Sequence, residues 1–578
     1  MNGLVVLAVA MVVLGAAYLL YGRYLVKTWG VDPTAKTPAY TREDGVDFEP
    51  ASKWEVFAHQ FSSIAGAGPV TGPVIAMMFG WVPAFLWILV GGIFFGAVQD
   101  FGALYASVKS KGKSMGQIVE TYIGKTGKKL FFLFCWLFSL IVIAAFSDMV
   151  AGTFNGFNAA GEALKPNAAA ASISMLYMAG AIVFGLVCRK FKVSGVKQAV
   201  LGVALIALML AGGIAFPMYM GKMAWLYVVF VYIFFASVTP INLLKQPRDY
   251  LTTFLFIGMI AAAVVGVLVS NPTITAPAFT GYHAPNGAPM FPVLFVTIAC
   301  GAVSGFHSLV SSETSSKQIG NEKDMLQVGY GSMLLESLLG ILVIVIVGSL
   351  SSLADKGVLN ETLKSMALAE TATPFTKFSA GVTGLVSVLG MPQEIGLCVM
   401  TMFVSALALT SLDAVARIAR LSLQGLLDGS DNKVAKFFTN KYVATVASLA
   451  VGYMLSLGGY HNIWPLFGAS NQLLAAMVLI TLAVFLKVTG RKGWMLYVPM
   501  CFMLLVTMTS LATSVYTIGM KLFTGAEFKL MTDGLQLVFA VLLMALGLMV
   551  SMRSGKKLVE KVEGVLADDS DPKTAAAK

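Results

Sequence analysis

The chain has 578 residues, 57% of them hydrophobic and only 12% charged, with a formal net charge of +11. Soluble domains carry about 25% charged residues, so this composition excludes an ordinary soluble enzyme and defines a polytopic membrane protein. The positive balance has a topological origin, because the basic residues fall almost entirely on one side of a predicted membrane, and this excludes a nucleic-acid partner.

Apolar runs of the ~20 residues that a helix needs to cross a bilayer begin near Leu4, Phe57, Val82, Leu130, Ala168, Val196, Met223, Tyr250, Phe291, Met325, Glu394, Lys441, Trp464, Trp494 and Leu535. They predict about fifteen spans. With an N-terminus outside and loops assigned alternately, 33 of the 40 Lys and Arg lie inside. The exceptions are Lys165, Lys222, Lys356, Lys364, Lys377, Lys521 and Lys529. The first run has no basic n-region or cleavage site and is a retained helix. Pro374–Gly390 is short and Gly-rich and reads as an interfacial or re-entrant helix outside. The tail from Arg553 is polar, cytoplasmic and predicted to be disordered at its acidic tip. Cys135, Cys188, Cys300, Cys398 and Cys501 lack metal-ligand spacing and read as small core hydrophobes. No cofactor or metal is expected.

The second run, Phe57–Trp81, carries Gly66, Gly68, Pro69, Gly72 and Pro73 at its centre. Pro removes a backbone donor and Gly adds backbone freedom, so this span is predicted to break in mid-membrane. Broken helices line ligand sites in secondary transporters. Ser63-Ile64-Ala65-Gly66 has a counterpart in Thr297-Ile298-Ala299-Cys300, in a span of opposite direction. Two spans further on, each half carries a lone acid, Asp148 and Asp413. The expected fold is all-α with a five-plus-five inverted repeat. Its units are an extra helix and loop (1–56), a first repeat (57–216), inserted helices (217–290), a second repeat (291–487), two extra helices (488–552) and a tail (553–578).

The first break offers Pro69 and Pro73 for the opening turn of a restarting half-helix, with free N–H groups for an anion. Ser62, Ser63 and Thr71 add hydroxyls, and Gly66, Gly68 and Gly72 admit a ligand to the backbone. Ser304, Gly305 and His307 follow the second break, and Asn471 and Gln472 sit in the last core span. These are the candidate substrate-binding residues. Asp148, Asp413, Glu336 and His59 are the candidates for proton coupling, because a carboxylate inside a membrane is functional by default. The alternative for the acids is a structural ion pair, with Arg417 or Arg420 as partner. Asp100 also lies within a span, and Glu313 near the inner surface.

The run His59-Gln60-Phe61-Ser62-Ser63-Ile64-Ala65-Gly66-Ala67-Gly68-Pro69-Val70-Thr71-Gly72-Pro73 resembles the signature of the carbon starvation protein A family. Cys300–Ser308, Val98–Phe101 and Phe467–Gln472 resemble it too, in the same order. Gln60 departs from it where many members have His, and Glu313 where Gly is common. The resemblance implies an inner-membrane importer of peptides or pyruvate, used under carbon starvation. It also implies the fold of the amino-acid/sodium symporter superfamily. Proton coupling is expected, with sodium coupling through Ser405, Thr410 or Ser411 as one alternative and a nutrient sensor without transport as another. The expected partners are a small substrate, a proton and the bilayer, and oligomeric state is left open.

The charge pattern predicts a topology. Single cysteines near Lys111 and Lys433 will react with impermeant maleimide only from the cytoplasm, and those near Asn286 and Gly459 only from outside. Labelling of the Lys111 and Asn286 positions from one side contradicts it.

Overall fold

The computed structural model of the chain describes residues 1–560 except 46, 159–160, 241–243, 370–371, 430–431, 525–527 and 530–532, and leaves the side chains of 460–462 undescribed. The acidic tip of the predicted tail lies outside the described residues.

The main helices, in chain order, are α1 (Gly3–Trp29), α2 (Lys53–Ile64), α3 (Gly68–Ala76), α4 (Trp81–Lys109), α5 (Lys125–Thr153), α6 (Lys165–Lys190), α7 (Val196–Ala215), α8 (Lys222–Val238) and α9 (Lys245–Ser270). They continue with α10 (Met290–Thr297), α11 (Gly305–Glu313), α12 (Glu322–Gly348), α13 (Pro374–Val388), α14 (Gln393–Leu427), α15 (Lys441–Ser456), α16 (Tyr460–Val488), α17 (Trp494–Thr524) and α18 (Leu535–Val559). Among the described residues, 11 helices are long and apolar enough to cross a membrane, or 12 counting the bent pair α2 and α3. Every expected run is helical. The expected count of about fifteen further requires α8, α15 and the α10–α11 pair, which are shorter.

Burial separates centre from rim. The apolar window of α16 is 100% buried, against 17% for α7. Exposed Val12, Leu20, Val200, Leu208 and Phe216 on α1 and beside or within α7 would form an untenable apolar surface in water, but suit lipid. The helix pair α5 and α14 packs directly behind the first break, and α16 packs against α10, α11, α5, α17 and α18. Cys135, Cys300 and Cys398 are buried as expected, whereas Cys188 is half-buried and Cys501 exposed.

Both expected breaks are present. α2 leaves the helical region at Ala65 (φ −68°, ψ 74°), and α3 restarts at Gly68 with a 44° bend. α10 ends in the same way at Ile298 (φ −92°, ψ 68°), and α11 restarts after Ser304. The unwound stretch of the first break is short. Pro69 occupies the first turn of α3, where a missing N–H leaves no bond unmade. Pro73 does not: it lies inside α3, because the helix restarts as early as Gly68.

The broken helices run antiparallel. Gln60 meets Ser311, Gly68 faces Cys300, and Gly72 faces Thr297, so one number falls as the other rises. A Cβ at Gly68 would sit 2.5 Å from the Cβ and Sγ of Cys300, and one at Gly72 would sit 2.6 Å from the Thr297 carbonyl oxygen. These glycines therefore allow close approach of the two breaks, a packing demand separate from any ligand. Gly305 answers the same demand against α16, where a Cβ would lie 2.5 Å from the Asn471 carbonyl oxygen.

Gly72→Ala must push backbone apart, so it is expected to destabilise the protein by about 1–3 kcal/mol and lower its melting temperature in detergent. Gly15→Ala meets nothing within 4 Å and will melt as the parent does. Equal melting of both variants contradicts the packing.

Candidate functional site

The unwound backbone of the second break is clamped from three helices. On α16, the Gln472 side-chain NH2 donates to the carbonyls of Phe295 (2.6 Å) and Ile298 (3.4 Å), where α10 ends. Its neighbour Asn471 accepts from the Phe306 N–H (3.0 Å), where α11 begins, and its NH2 donates to Ser304 Oγ (3.0 Å). Gln99 of α4 donates to the Ser304 carbonyl (2.7 Å), and Ser337 of α12 donates to the Gly301 carbonyl (3.1 Å). Polar groups freed inside a membrane are tolerated only when protein satisfies them, and here side chains do so.

The first break is held differently. Ser411 of α14 donates to the Ser63 carbonyl (3.1 Å), and the Gly66 N–H turns back to the Ile64 carbonyl (2.6 Å). The hydroxyls of Ser63 and Thr71 are buried and have no hydrogen-bond partner. Ser62 bonds weakly to the His59 carbonyl (3.5 Å). Gly66 packs against Ser411 and against Phe146 of α5, so the break is closed on that side. Ser405 and Thr410 donate to carbonyls of their own helix.

Beside the second break sits a fully buried ionisable triad. His307 Nδ1 lies 3.1 Å from Asp100 Oδ2, and His307 Nε2 lies 3.4 Å from Glu336 Oε2. All three side chains are 0% exposed. Asp100 Oδ1 and both Glu336 oxygens lack a hydrogen-bond partner. Asp100 follows Gln99 and Glu336 precedes Ser337. In each pair one residue holds the break and its neighbour faces the histidine.

A second network joins the other candidates. His59 bridges Asp249 Oδ2 (2.8 Å) and Thr314 Oγ1 (2.8 Å). Asp249 contacts Arg248 (3.3 Å), which pairs with Asp413 and Tyr232. Tyr232 also donates to Asp413 (2.7 Å). The partner of Asp413 is therefore Arg248 of α9 rather than Arg417 or Arg420. This network ties the first broken helix (His59) to the end of α11 (Thr314) and to α14 (Asp413). Asp148 stands apart from it and pairs with the half-exposed Lys222 (2.7 Å). Gln99, Ser337, Tyr232, Lys245, Arg248 and Asp249 were not singled out from sequence. The charged ones were counted as loop residues, yet Lys245, Arg248, Arg417 and Arg420 are all buried. Adjacent polar pairs inside apolar runs, such as Gln99-Asp100, Glu336-Ser337 and Asn471-Gln472, were the available signal.

The fold and site define a polytopic helical membrane protein built around two opposed, side-by-side helix breaks. The chain belongs to the carbon starvation protein CstA family, whose profile matches residues 2–359 and 353–510. It is 32% identical to the peptide transporter CstA of Escherichia coli strain K12, over 88% of this chain and 80% of that one. It is 32% identical to the peptide transporter CstA of Bacillus subtilis strain 168, over 87% and 89%. It is 30% identical to the pyruvate/proton symporter BtsT of Escherichia coli strain K12, over 88% and 80%. These relatives are transporters, not enzymes. Among solved structures, a manganese transporter of Eremococcus coleocola superposes over 89% of this chain and 98% of its own, with a TM-score of 0.49 at 11% identity, too distant to define the fold.

Asn471→Ala leaves the buried Phe306 N–H without its acceptor. A loss of about 1–3 kcal/mol is expected, read as a lower melting temperature and lower yield of monodisperse protein. An unchanged melting temperature contradicts the clamp.

Proposed function

We propose that this protein is a proton-coupled secondary transporter of the bacterial inner membrane that imports peptides or pyruvate when preferred carbon is exhausted. The observation that carries this reading is the asymmetry of the two breaks. At the second, side chains hold the carbonyls of Phe295, Ile298, Gly301 and Ser304 and the Phe306 N–H. The first keeps two buried hydroxyls, Ser63 and Thr71, unpartnered at the amino end of α3, where the helix dipole favours a carboxylate. Ser62 adds a third hydroxyl to that subsite, and Gly66, Gly68 and Gly72 are its close-packed wall against Ser411, Cys300 and Thr297. Ser304, Gly305, Asn471 and Gln472 hold its antiparallel counterpart in place.

Coupling falls to the triad. Two carboxylates flanking one imidazole, all three fully buried, leave uncompensated charge unless the cluster holds a proton. Glu336 and His307 are therefore the carriers, with Asp100 orienting the ring. His59 and Asp413, paired through Asp249 and Arg248, are better placed to latch α2, α9, α11 and α14 together, and Asp148 to pin α5 to α8. The antiparallel breaks support a five-plus-five inverted repeat over 57–216 and 291–487. α8, α15 and α10–α11 would then complete about fifteen spans, each near the ~20 residues a crossing needs. The N-terminus lies in the periplasm and the C-terminus in the cytoplasm. The names of the relatives support peptide or pyruvate as cargo.

The test is uptake by purified protein in liposomes, with pyruvate and dialanine as probes. An inward proton gradient will drive accumulation that a protonophore abolishes, while a sodium gradient alone will not. Glu336→Gln will lower proton-driven accumulation at least tenfold and exchange of internal for external substrate less than threefold. Binding without uptake, or accumulation driven by sodium alone, overturns the reading.

A further inference from the structure

A vestibule of about 360 Å³ opens at the end of the molecule where α11 finishes, lined by Gln117, Lys128, Glu313, Lys317, Gln424 and Asp428 among others. Two of its four charged residues are neutralised by each other: Lys128 pairs with Asp428 (3.3 Å) and also with Glu120 (2.8 Å). Glu313 and Lys317 are not paired in this way. Glu313 is the last residue of α11, its side chain is buried, and its Oε2 has no hydrogen-bond partner. Lys317 and the like-charged Asp47 lie within Coulombic reach of it. The Lys317 ammonium rests 5.3 Å over the Phe48 ring. From α5, Cys135 lies within Coulombic reach of the same carboxylate.

Glu313 and His307 share one half-helix. Six residues at the α-helical rise separate them by about 9 Å along the axis. The triad itself is sealed from solvent, so a proton it carries needs a way out. Three hydroxyl residues lie between them: Ser308 donates to the Gly305 carbonyl (2.6 Å), Ser311 accepts from Gln60 (2.9 Å), and Ser312 donates to the Ser308 carbonyl (2.7 Å).

We propose that Glu313 is the proton-release group of the transport cycle, receiving the proton carried by the His307 cluster and giving it up to water in the vestibule. This rests on the proton-coupled reading above. The release step breaks the Glu313 O–H bond, leaves a carboxylate beside Lys317 and yields a hydronium ion that diffuses into the vestibule. No other reactant is needed. Gln cannot take part, and Asp can take part with a shorter reach.

The experiment uses the full chain in liposomes, with pyruvate and dialanine as probes. Glu313→Gln is expected to lower proton-driven accumulation at least tenfold and exchange less than threefold, and to lose any dependence of uptake on lumenal pH between 6 and 8. Glu313→Asp is expected to recover at least a third of the accumulation. In the parent protein, a carbodiimide that reacts with protonated carboxyls will modify Glu313, as read by mass spectrometry, and modification will inhibit accumulation more than exchange. This second measurement stands even if Glu313→Gln does not fold. Full accumulation and intact lumenal pH dependence in Glu313→Gln, alongside loss in Glu336→Gln, overturns this proposal and leaves proton coupling standing. Accumulation by the parent that ignores the proton gradient overturns both. Absence of carbodiimide modification at Glu313 overturns the release role.

Discussion

Backbone groups freed by a helix break have no water to bond inside a bilayer, and the protein must satisfy them itself. That constraint organises this molecule. α16, whose apolar window is fully buried, carries two adjacent amides, Asn471 and Gln472, that bond to opposite sides of one break. Gln99 and Ser337 reach the same backbone from α4 and α12. Each brings a neighbouring acid, and those acids meet at His307. The ionisable triad is thus a geometric consequence of how the break is held.

The two breaks differ in what remains unsatisfied. Around the second, side chains occupy the freed groups. At the first, Ser411 takes one carbonyl, and the buried hydroxyls of Ser63 and Thr71 have no partner. The helices that close over the first break, α5 and α14, also carry Asp148 and Asp413. Both acids are paired with cations on the inserted helices α8 and α9. In the proposed transport cycle, separation of α14 from α2 must disturb the chain from His59 through Asp249 and Arg248 to Asp413.

The breaks were legible in sequence because Gly and Pro act locally: Gly66, Gly68 and Pro69 disrupt a helix wherever it packs. Their antiparallel pairing was legible in part, through the short match between Ser63–Gly66 and Thr297–Cys300. What sequence hid was tertiary. The glycines read as ligand access are filled by Cys300 and Thr297, contacts set by chain approach rather than local pattern. Asp148 and Asp413 looked equivalent by position, yet one pairs near the rim and the other in the interior. Lys245 and Arg248 looked like loop charges because they begin a span, but the helix start itself is buried. His307, Asp100 and Glu336 were each noticed singly, because no spacing rule links residues 100, 307 and 336.

In the proposed transport cycle the first break is the ligand-responsive one and the second is a fixed support. Hydrogen–deuterium exchange of the purified protein, with and without pyruvate or dialanine, tests it most directly. Peptides covering 63–72 are predicted to exchange more slowly when the transported probe is added, while those covering 298–306 remain protected in both conditions. Slowing confined to 298–306, or no change at 63–72 at saturating probe, would contradict it.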